Sequence, residues 1–260
     1  MLLERENAVK DFIDTACNST QSGKILLISG EAGIGKTSLL EHMRLHAKVE
    51  TEILWSGCEP LFTPQPYAPF QQVASSLSSS LSALLESNDN PSKMANKIAS
   101  TLYSSLEELK HPIILVIEDV HWADHATLDL LKFLVRRVSF VNCMLCLTYR
   151  EGEVTFKHPF SSVLSLCPSA HTKRILLKPL SINAVEKLLK NTQHNAHDLH
   201  KITGGNPFFI TEVLANKANQ DNSIPHSIRD AIGARLHNLS EAERNCMLTL
   251  SLIPTVSLFY

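Results

Sequence analysis

Apolar and polar positions divide this chain into short apolar runs of strand length, separated by stretches with helical spacing. Residues 2–17 place Leu3, Val9, Phe12, Ile13 and Ala16 on one side of an amphipathic helix, which Gly23 ends. KILLIS (24–29) reads as a strand, 36–47 as a helix and TEILWSG (51–57) as a second strand. In the following PLFTPQPYAPF, Pro60, Pro64, Pro66 and Pro69 exclude a regular element. The serine-rich stretch 75–82 looks like a linker, yet Val73, Leu77, Leu81, Leu84 and Leu85 keep helical spacing through it. That spacing favours a polar-faced helix over a flexible connection. Another helix is predicted over 92–109, then strands at 113–118, 143–149 and 174–178 with helical patterns at 125–138 and 160–167 between them. Strand–helix alternation of this kind predicts a parallel sheet with helices on both faces. Beyond Pro179 the pattern turns all-helical, with helices predicted at 181–191, 195–202, 207–218, 225–237 and 241–251. The last opens with Ser240 and Glu243 at the spacing of a capping box.

Composition narrows the class without naming a function. The 260 residues are 44% apolar and 19% charged, enough chain and enough apolar surface for a core without staples, in one large or two modest domains. Lys plus Arg total 24 against 26 Asp plus Glu, and a net charge of −2 does not indicate a nucleic-acid surface. The longest apolar runs, such as Ile113 to Ile117, are far too short to span a membrane. The opening MLLERENAVKDF mixes charges where a secretory segment is continuously apolar, so a soluble, cytoplasmic chain with no membrane partner is expected. Of six cysteines only Cys143 and Cys146 form a CxxC, inside an apolar strand pattern. Residues three apart on a strand face opposite sides, so buried free thiols are expected rather than a metal site.

The strongest chemical signal is GEAGIGKT, Gly30 to Thr37, which fits G-x-x-x-x-G-K-[ST] between a predicted strand and a predicted helix. Glycines let successive backbone N–H groups turn inward onto phosphate oxygens, and the helix N-terminus adds positive potential. Lys36 then reaches the β- and γ-phosphates, and the Thr37 hydroxyl can ligate Mg²⁺. Three of the nine glycines, Gly30, Gly33 and Gly35, lie in this octet. The second signal is IILVIEDVHWAD, a buried strand ending in Glu118 and Asp119. Acids there can hold Mg²⁺ and orient an attacking water, although one of the two can instead simply cap the strand. Asp124 reads equally well as the N-cap of the helix starting at His125. His121 and His125 are four apart, but the flanking residues lack the HExxH of a zinc site.

With both segments in view, nearly the whole chain resembles the signal-transduction ATPases with numerous domains (STAND), in the AAA-like P-loop superfamily. More narrowly, it resembles the ATPase module of large LuxR-type regulators and of related cyclase- and kinase-associated proteins. LLERENAV matches the module's N-terminal Arg-Glu signature, GEAGIGKTSLL its phosphate loop and VIEDVHWADHATLDLLKFLVRR its acidic strand and helix. LCLTYREGE resembles its sensor strand ending in an arginine, here Arg150. KPLSINAVEKLL resembles the start of its helical lid, and TGGNPFFITEVL carries the lid's Gly-x-Pro at Gly205, Asn206 and Pro207.

The resemblance implies an α/β P-loop NTPase fold: a three-layer core with a parallel five-stranded sheet over 1–179, a helical lid over 180–222 and an incomplete winged-helix start over 223–260. It implies ATP or ADP held between sheet and lid by Gly30, Gly33, Ile34, Gly35, Lys36, Thr37, Ser38, Gly205 and Pro207, with Arg5 in a segment that closes over the base. Arg150 reaches the γ-phosphate in this reading and Pro207 packs near the adenine, while Mg²⁺ sits with Thr37, Glu118 and Asp119. Lys36, Glu118, Asp119 and Arg150 are the catalytic candidates. The expected function is an ATP-binding, slowly hydrolysing regulatory switch in a transcriptional regulator. Its partners are nucleotide, an inducer or regulatory protein that the sequence does not identify, and a second copy if the module self-associates. Nucleic acid is expected only through a C-terminal effector absent from these 260 residues, so the chain reads as an excised piece or a stand-alone module. Two other readings stay open: a non-hydrolysing module holding ADP or ATP, and a P-loop kinase, against which the GGNP and HWAD segments speak. Many relatives have Asp where this chain has Glu118, so which acid contacts Mg²⁺ is left undecided.

Overall fold

Five apolar runs become five parallel strands, β1 (Lys24–Ser29), β2 (Glu52–Gly57), β3 (Ile113–Glu118), β4 (Cys143–Tyr149) and β5 (Thr172–Leu176), in a single sheet of order β2-β3-β4-β1-β5. The computed structural model describes residues 2–46, 51–87, 91–190, 195–215, 233, 236 and 240–251. The three central strands are buried on both faces almost throughout, as parallel strands covered by helices must be. The outer strands β2 and β5 carry accessible positions, three of them consecutive at the start of β5. This explains why β5 lies two residues before its predicted place: an edge strand can carry Thr172, Lys173 and Arg174, so the apolar run alone misplaces it.

Alternate residues of each central strand feed two separate cores. Ile25, Leu27, Leu115 and Cys143 face one of them, and Leu26, Ile28, Val116 and Cys146 the other. The CxxC cysteines therefore do face opposite sides of the sheet. Burial pushes the Cys143 thiol up to about 12 and that of Cys146 higher still. The second core is closed by α1 (Glu6–Ser19) and α2 (Lys36–His46), through Phe12, Leu39, Leu40 and Met43. The first is closed by α3 (Ala68–Leu77), α4 (Ser79–Glu86), α5 (Pro91–Glu107), α6 (His125–Val135) and α7 (Ser161–Leu166).

Several local expectations change. The helix read through the serine-rich stretch is two helices, broken at the extended Ser78, whose hydroxyl accepts from the Leu81 N–H at 3.0 Å and so caps α4. Pro69 does not exclude a helix, because it sits in the first turn of α3, where a missing N–H costs nothing. The first helix starts at Glu6, not at residue 2, and ends at Ser19, four residues before Gly23. α6 stops at Val135, short of the predicted end at 138, and a short 3₁₀ turn, Val138–Phe140, follows.

Gly23 has another job than ending a helix. A Cβ there would lie 2.1 Å from the Val138 carbonyl oxygen and 2.5 Å from that of Val141. Gly23→Ala should therefore destabilise the fold by about 3 kcal/mol, the upper end for overpacking. The check is a lower urea midpoint at unchanged slope; an unchanged midpoint would mean that the turn can give way.

After β5 come α8 (Ile182–Leu188), α9 (Ala196–Thr203) and α10 (Pro207–Ala215), which share a small apolar cluster of Leu180, Val185, Leu189, Leu199 and Ile210. α11 (Glu241–Ser251) opens as predicted. The Ser240 N–H donates to Glu243 at 2.8 Å, and the Glu243 N–H donates to the Ser240 hydroxyl at 3.3 Å. Apart from positions 233 and 236, the helix expected at 225–237 lies outside the described residues, as does most of the winged-helix start expected over 223–260. No helix among the described residues is long and apolar enough to cross a membrane.

Candidate functional site

The sheet order brings the chemistry together. β3, β4 and β1 are consecutive neighbours, in register from Ile117 to Leu147 and from Ser29 to Tyr149. Their carboxyl ends therefore release Asp119, Arg150 and the Gly30 loop at one edge of the sheet, where open α/β sheets bind ligands. A cleft of about 330 Å³ opens there, lined by Gly33, Gly35, Lys36, Thr37, Ser38, Asp119 and Arg150 from the core and by Pro207, Phe208 and Thr211 from α10.

The loop has a backbone that its glycines permit. Gly33 and Gly35 have φ of 76° and 97°, a left-handed backbone that side chains rarely adopt. At Gly33 a Cβ would also lie 2.6 Å from the Phe208 Cβ. Lys36 is only 7% exposed and donates to the carbonyls of Gly30 at 3.0 Å and Glu31 at 2.9 Å. Burial lowers its pKa, and the Asp119 carboxylate acts against that shift.

The two acids at the end of β3 have different neighbours. Glu118 accepts from the Thr37 hydroxyl with one oxygen and from the Trp55 indole N–H, at 2.8 Å, with the other. Asp119 has turned away, at φ 51°, a left-handed conformation that aspartate tolerates better than most residues. Its N–H donates to the buried Thr148 hydroxyl at 3.0 Å, so β4 holds it in that turn. Burial raises the Asp119 pKa while Lys36 and Arg150 pull it down. The Thr37 hydroxyl and the Glu118 carboxylate, in contact, are oxygen donors of the kind that suit Mg²⁺, and the N-terminus of α2 suits phosphate.

Arg150 is bound on two sides. Its guanidinium donates to Glu153 Oε1 at 2.7 Å and lies 4.4 Å over the Trp122 ring. His121, whose side chain is 1% exposed, lies between Asp119, with Nδ1 3.8 Å from Oδ1, and Glu153, with Nε2 3.4 Å from Oε2. Neither ring nitrogen has a hydrogen-bond partner among the described residues. Burial, opposed by Glu153, lowers its pKa to about 4, so the ring is neutral at pH 7. His125 is exposed on α6, and Asp124 is the N-cap of that helix, accepting from the Thr127 N–H at 3.0 Å.

The remaining sequence candidates border the site without lining the cleft. Arg5 is buried and donates to the Ile34 carbonyl at 3.3 Å and the Lys178 carbonyl at 2.8 Å, tying the phosphate loop to the end of β5. Next to it, Glu4 accepts from the Ser181 N–H at 2.8 Å and from the Ser181 hydroxyl at the start of α8. The Ile34 side chain is fully buried in the second core. Gly30 supplies a carbonyl to Lys36. Gly205 is needed for close approach, since a Cβ there would meet the Leu180 oxygen at 2.3 Å. Asn206 bridges instead: its Nδ2 donates to the Ala32 carbonyl at 3.0 Å, and the Phe208 N–H donates to the Gly33 carbonyl at 3.2 Å.

Sequence reasoning missed Trp55, Trp122, Glu153, Phe208 and Thr211 as parts of this neighbourhood. Trp55 could be found only from the pairing of β2 with β3, which no local pattern encodes. Glu153 carries a weak signal, three residues after an arginine at a strand end.

Comparison with known proteins agrees with the fold. The AAA ATPase domain pattern matches residues 2–146. An uncharacterized protein of Rhizobium meliloti (strain 1021) is 25% identical over 239 residues, covering 74% of this chain. The chain spans only 22% of that relative's length. Among solved structures, a STAND protein with a tetratricopeptide repeat sensor from Pyrococcus horikoshii superposes with TM-score 0.52 at 18% identity, over 98% of this chain and 35% of that one. The Walker-type ATPase of Pyrococcus abyssi gives 0.51 at 13% identity, over 91% and 73%. The Aeropyrum pernix Orc1 protein in complex with DNA gives 0.57 at 14%, over 97% and 73%. At such identities the likeness concerns the fold, an α/β P-loop NTPase core.

Proposed function

The chain belongs to the AAA ATPase domain family, and on that premise we propose that it is a regulatory switch that binds ATP, hydrolyses it slowly with Mg²⁺ and moves α8–α10 against the sheet as the nucleotide changes. One observation carries this reading. The cleft that holds Lys36, Asp119 and Arg150 is walled on its other side by Pro207, Phe208 and Thr211. Asn206 and Phe208 also bond directly to the phosphate loop at Ala32 and Gly33. Anything that repositions that loop is therefore felt by α10.

In this mechanism the loop N–H groups of Gly33 and Gly35 and the Lys36 ammonium hold the inner phosphates. Thr37 and Glu118, already in contact, are the Mg²⁺ partners. Held by these two residues, Mg²⁺ would supply positive charge that offsets the charge of the phosphates. Asp119, turned into the cleft between Lys36 and Arg150, orients the attacking water and takes its proton. Arg150 binds the γ-phosphate and so distinguishes ATP from ADP. The division into core 1–179, lid 180–222 and winged-helix start 223–260 belongs to the same reading, as does self-association through the ATPase module. The transcriptional output rests on the resemblance to LuxR-type regulators alone. With a net charge of −2, direct nucleic-acid binding by these residues is not favoured.

A single-turnover assay with Mg²⁺ tests the hydrolytic half, and absence of any Mg²⁺-dependent turnover would refute it. The switching half is tested by Arg150→Ala, which should weaken a non-hydrolysable ATP analogue about tenfold or more, the value of one charge-assisted contact, and leave ADP nearly unchanged. Only differential affinity lets a ligand shift a conformational equilibrium. Equal losses for the two nucleotides would remove Arg150 from the sensing role.

A further inference from the structure

Beside the cleft, paired with Arg150, lies a charge that the proposed reaction does not use. Glu153 follows Arg150 by three residues on the loop after β4, and its carboxylate is divided between two neighbours. Oε1 accepts from the Arg150 guanidinium at 2.7 Å, while Oε2 lies 3.4 Å from Nε2 of the buried, unpartnered His121. Trp122 covers a face of the same guanidinium and also packs on the His121 ring, at 4.5 Å between centroids. We propose that Glu153 determines how strongly the site prefers ATP over ADP, because it competes with the γ-phosphate for Arg150. This rests on the reading of Arg150 as the γ-phosphate partner.

A γ-phosphate adds negative charge that ADP lacks, and its gain comes from Arg150. A guanidinium already neutralised by a carboxylate returns less to a new anion, since the first pair must be broken or shared. The inner phosphates, shared by both nucleotides, are held by the loop and Lys36, which Glu153 does not touch. Its effect therefore falls on ATP selectively. His121 makes the exchange easier. A buried imidazole without a hydrogen bond is costly, and an N–H at Nε2 can donate to the carboxylate once it swings off Arg150. Glu153 thus has a second seat next to the first, and Trp122 keeps the guanidinium in place while the partner changes.

The test is titration of the 260-residue chain, with Mg²⁺, using ADP and a non-hydrolysable ATP analogue. Glu153→Gln keeps the shape and removes the charge; Glu153→Ala removes both. Each should bind the analogue about three- to fivefold more tightly than the parent, the scale of a partly exposed ion pair, with ADP affinity unchanged. In Glu153→Gln combined with Arg150→Ala the gain should vanish. Glu153 is exposed enough for both variants to fold, and thermal unfolding without nucleotide verifies that. Weaker binding of both nucleotides would make Glu153 a structural brace and overturn the proposal. So would a gain that persists without Arg150, or an analogue affinity that does not change. If Arg150→Ala alone weakens ADP and the analogue equally, the sensing role of Arg150 fails first and the proposal falls with it; a selective loss there with no gain from Glu153→Gln defeats the proposal alone.

Discussion

Glu118→Gln combined with Asp119→Asn should slow single-turnover ATP hydrolysis by about 100-fold or more, the lower range for losing a positioned base, while ATP still binds. The phosphates are gripped by the loop backbone and Lys36, neither of which this double change removes. Both replacements are nearly isosteric. Asparagine tolerates the left-handed backbone of position 119 as aspartate does, and the N–H bond to Thr148 is unaffected. A glutamine at position 118 would keep one carbonyl acceptor for the Thr37 hydroxyl or the Trp55 indole, but not a charge for Mg²⁺. The single variants should separate the roles. Glu118→Gln should raise the Mg²⁺ concentration needed for turnover, and Asp119→Asn should lower the rate at saturating Mg²⁺. If the double variant hydrolyses at the parent rate, the acids only finish a strand.

Lys36→Ala should weaken both ATP and ADP, by about ten- to a hundredfold, which corresponds to a charge-assisted contact of about 1.5–3 kcal/mol. Both nucleotides lose affinity, because the lysine reaches the β-phosphate that both possess as well as the γ-phosphate, whereas Arg150 faces only the phosphate that ADP lacks. The side chain is buried and holds the Gly30 and Glu31 carbonyls, so its removal also loosens the loop. Lys36→Met keeps the stem's packing without the ammonium and should lose the same affinity, which separates charge from packing. A folded Lys36 variant with parent affinity would relocate the nucleotide site altogether.

Much of the fold was legible locally. Strands β1, β3 and β4 are visible because a parallel strand covered on both faces must be continuously apolar. The phosphate loop is visible because its glycines, lysine and threonine act within eight consecutive residues. The capping box at Ser240 and Glu243 is likewise complete within one turn of chain. Legibility fails where a residue's setting comes from elsewhere. β5 carries polar residues because it is an edge, and the break at Ser78 hides inside an unbroken apolar spacing. Gly23 looks like a helix stop in the sequence, although it is required by two carbonyls more than a hundred residues away.

The candidate site divides in the same way. Residue type and spacing alone determined that this chain carries a phosphate loop and an acidic strand end, since those functions lie within short segments. Tertiary structure decided how the parts divide their work. Adjacency of β3, β4 and β1 brings Asp119, Arg150 and the loop to one cleft. Pairing of β2 with β3 brings Trp55 to Glu118, and that acid, rather than Asp119, meets Thr37. The turn after β4 gives Arg150 a carboxylate partner before any phosphate competes for it. A motif names which groups are available, but the charge each one faces depends on which strands lie side by side, and strand order leaves no mark on the local spacing of residues.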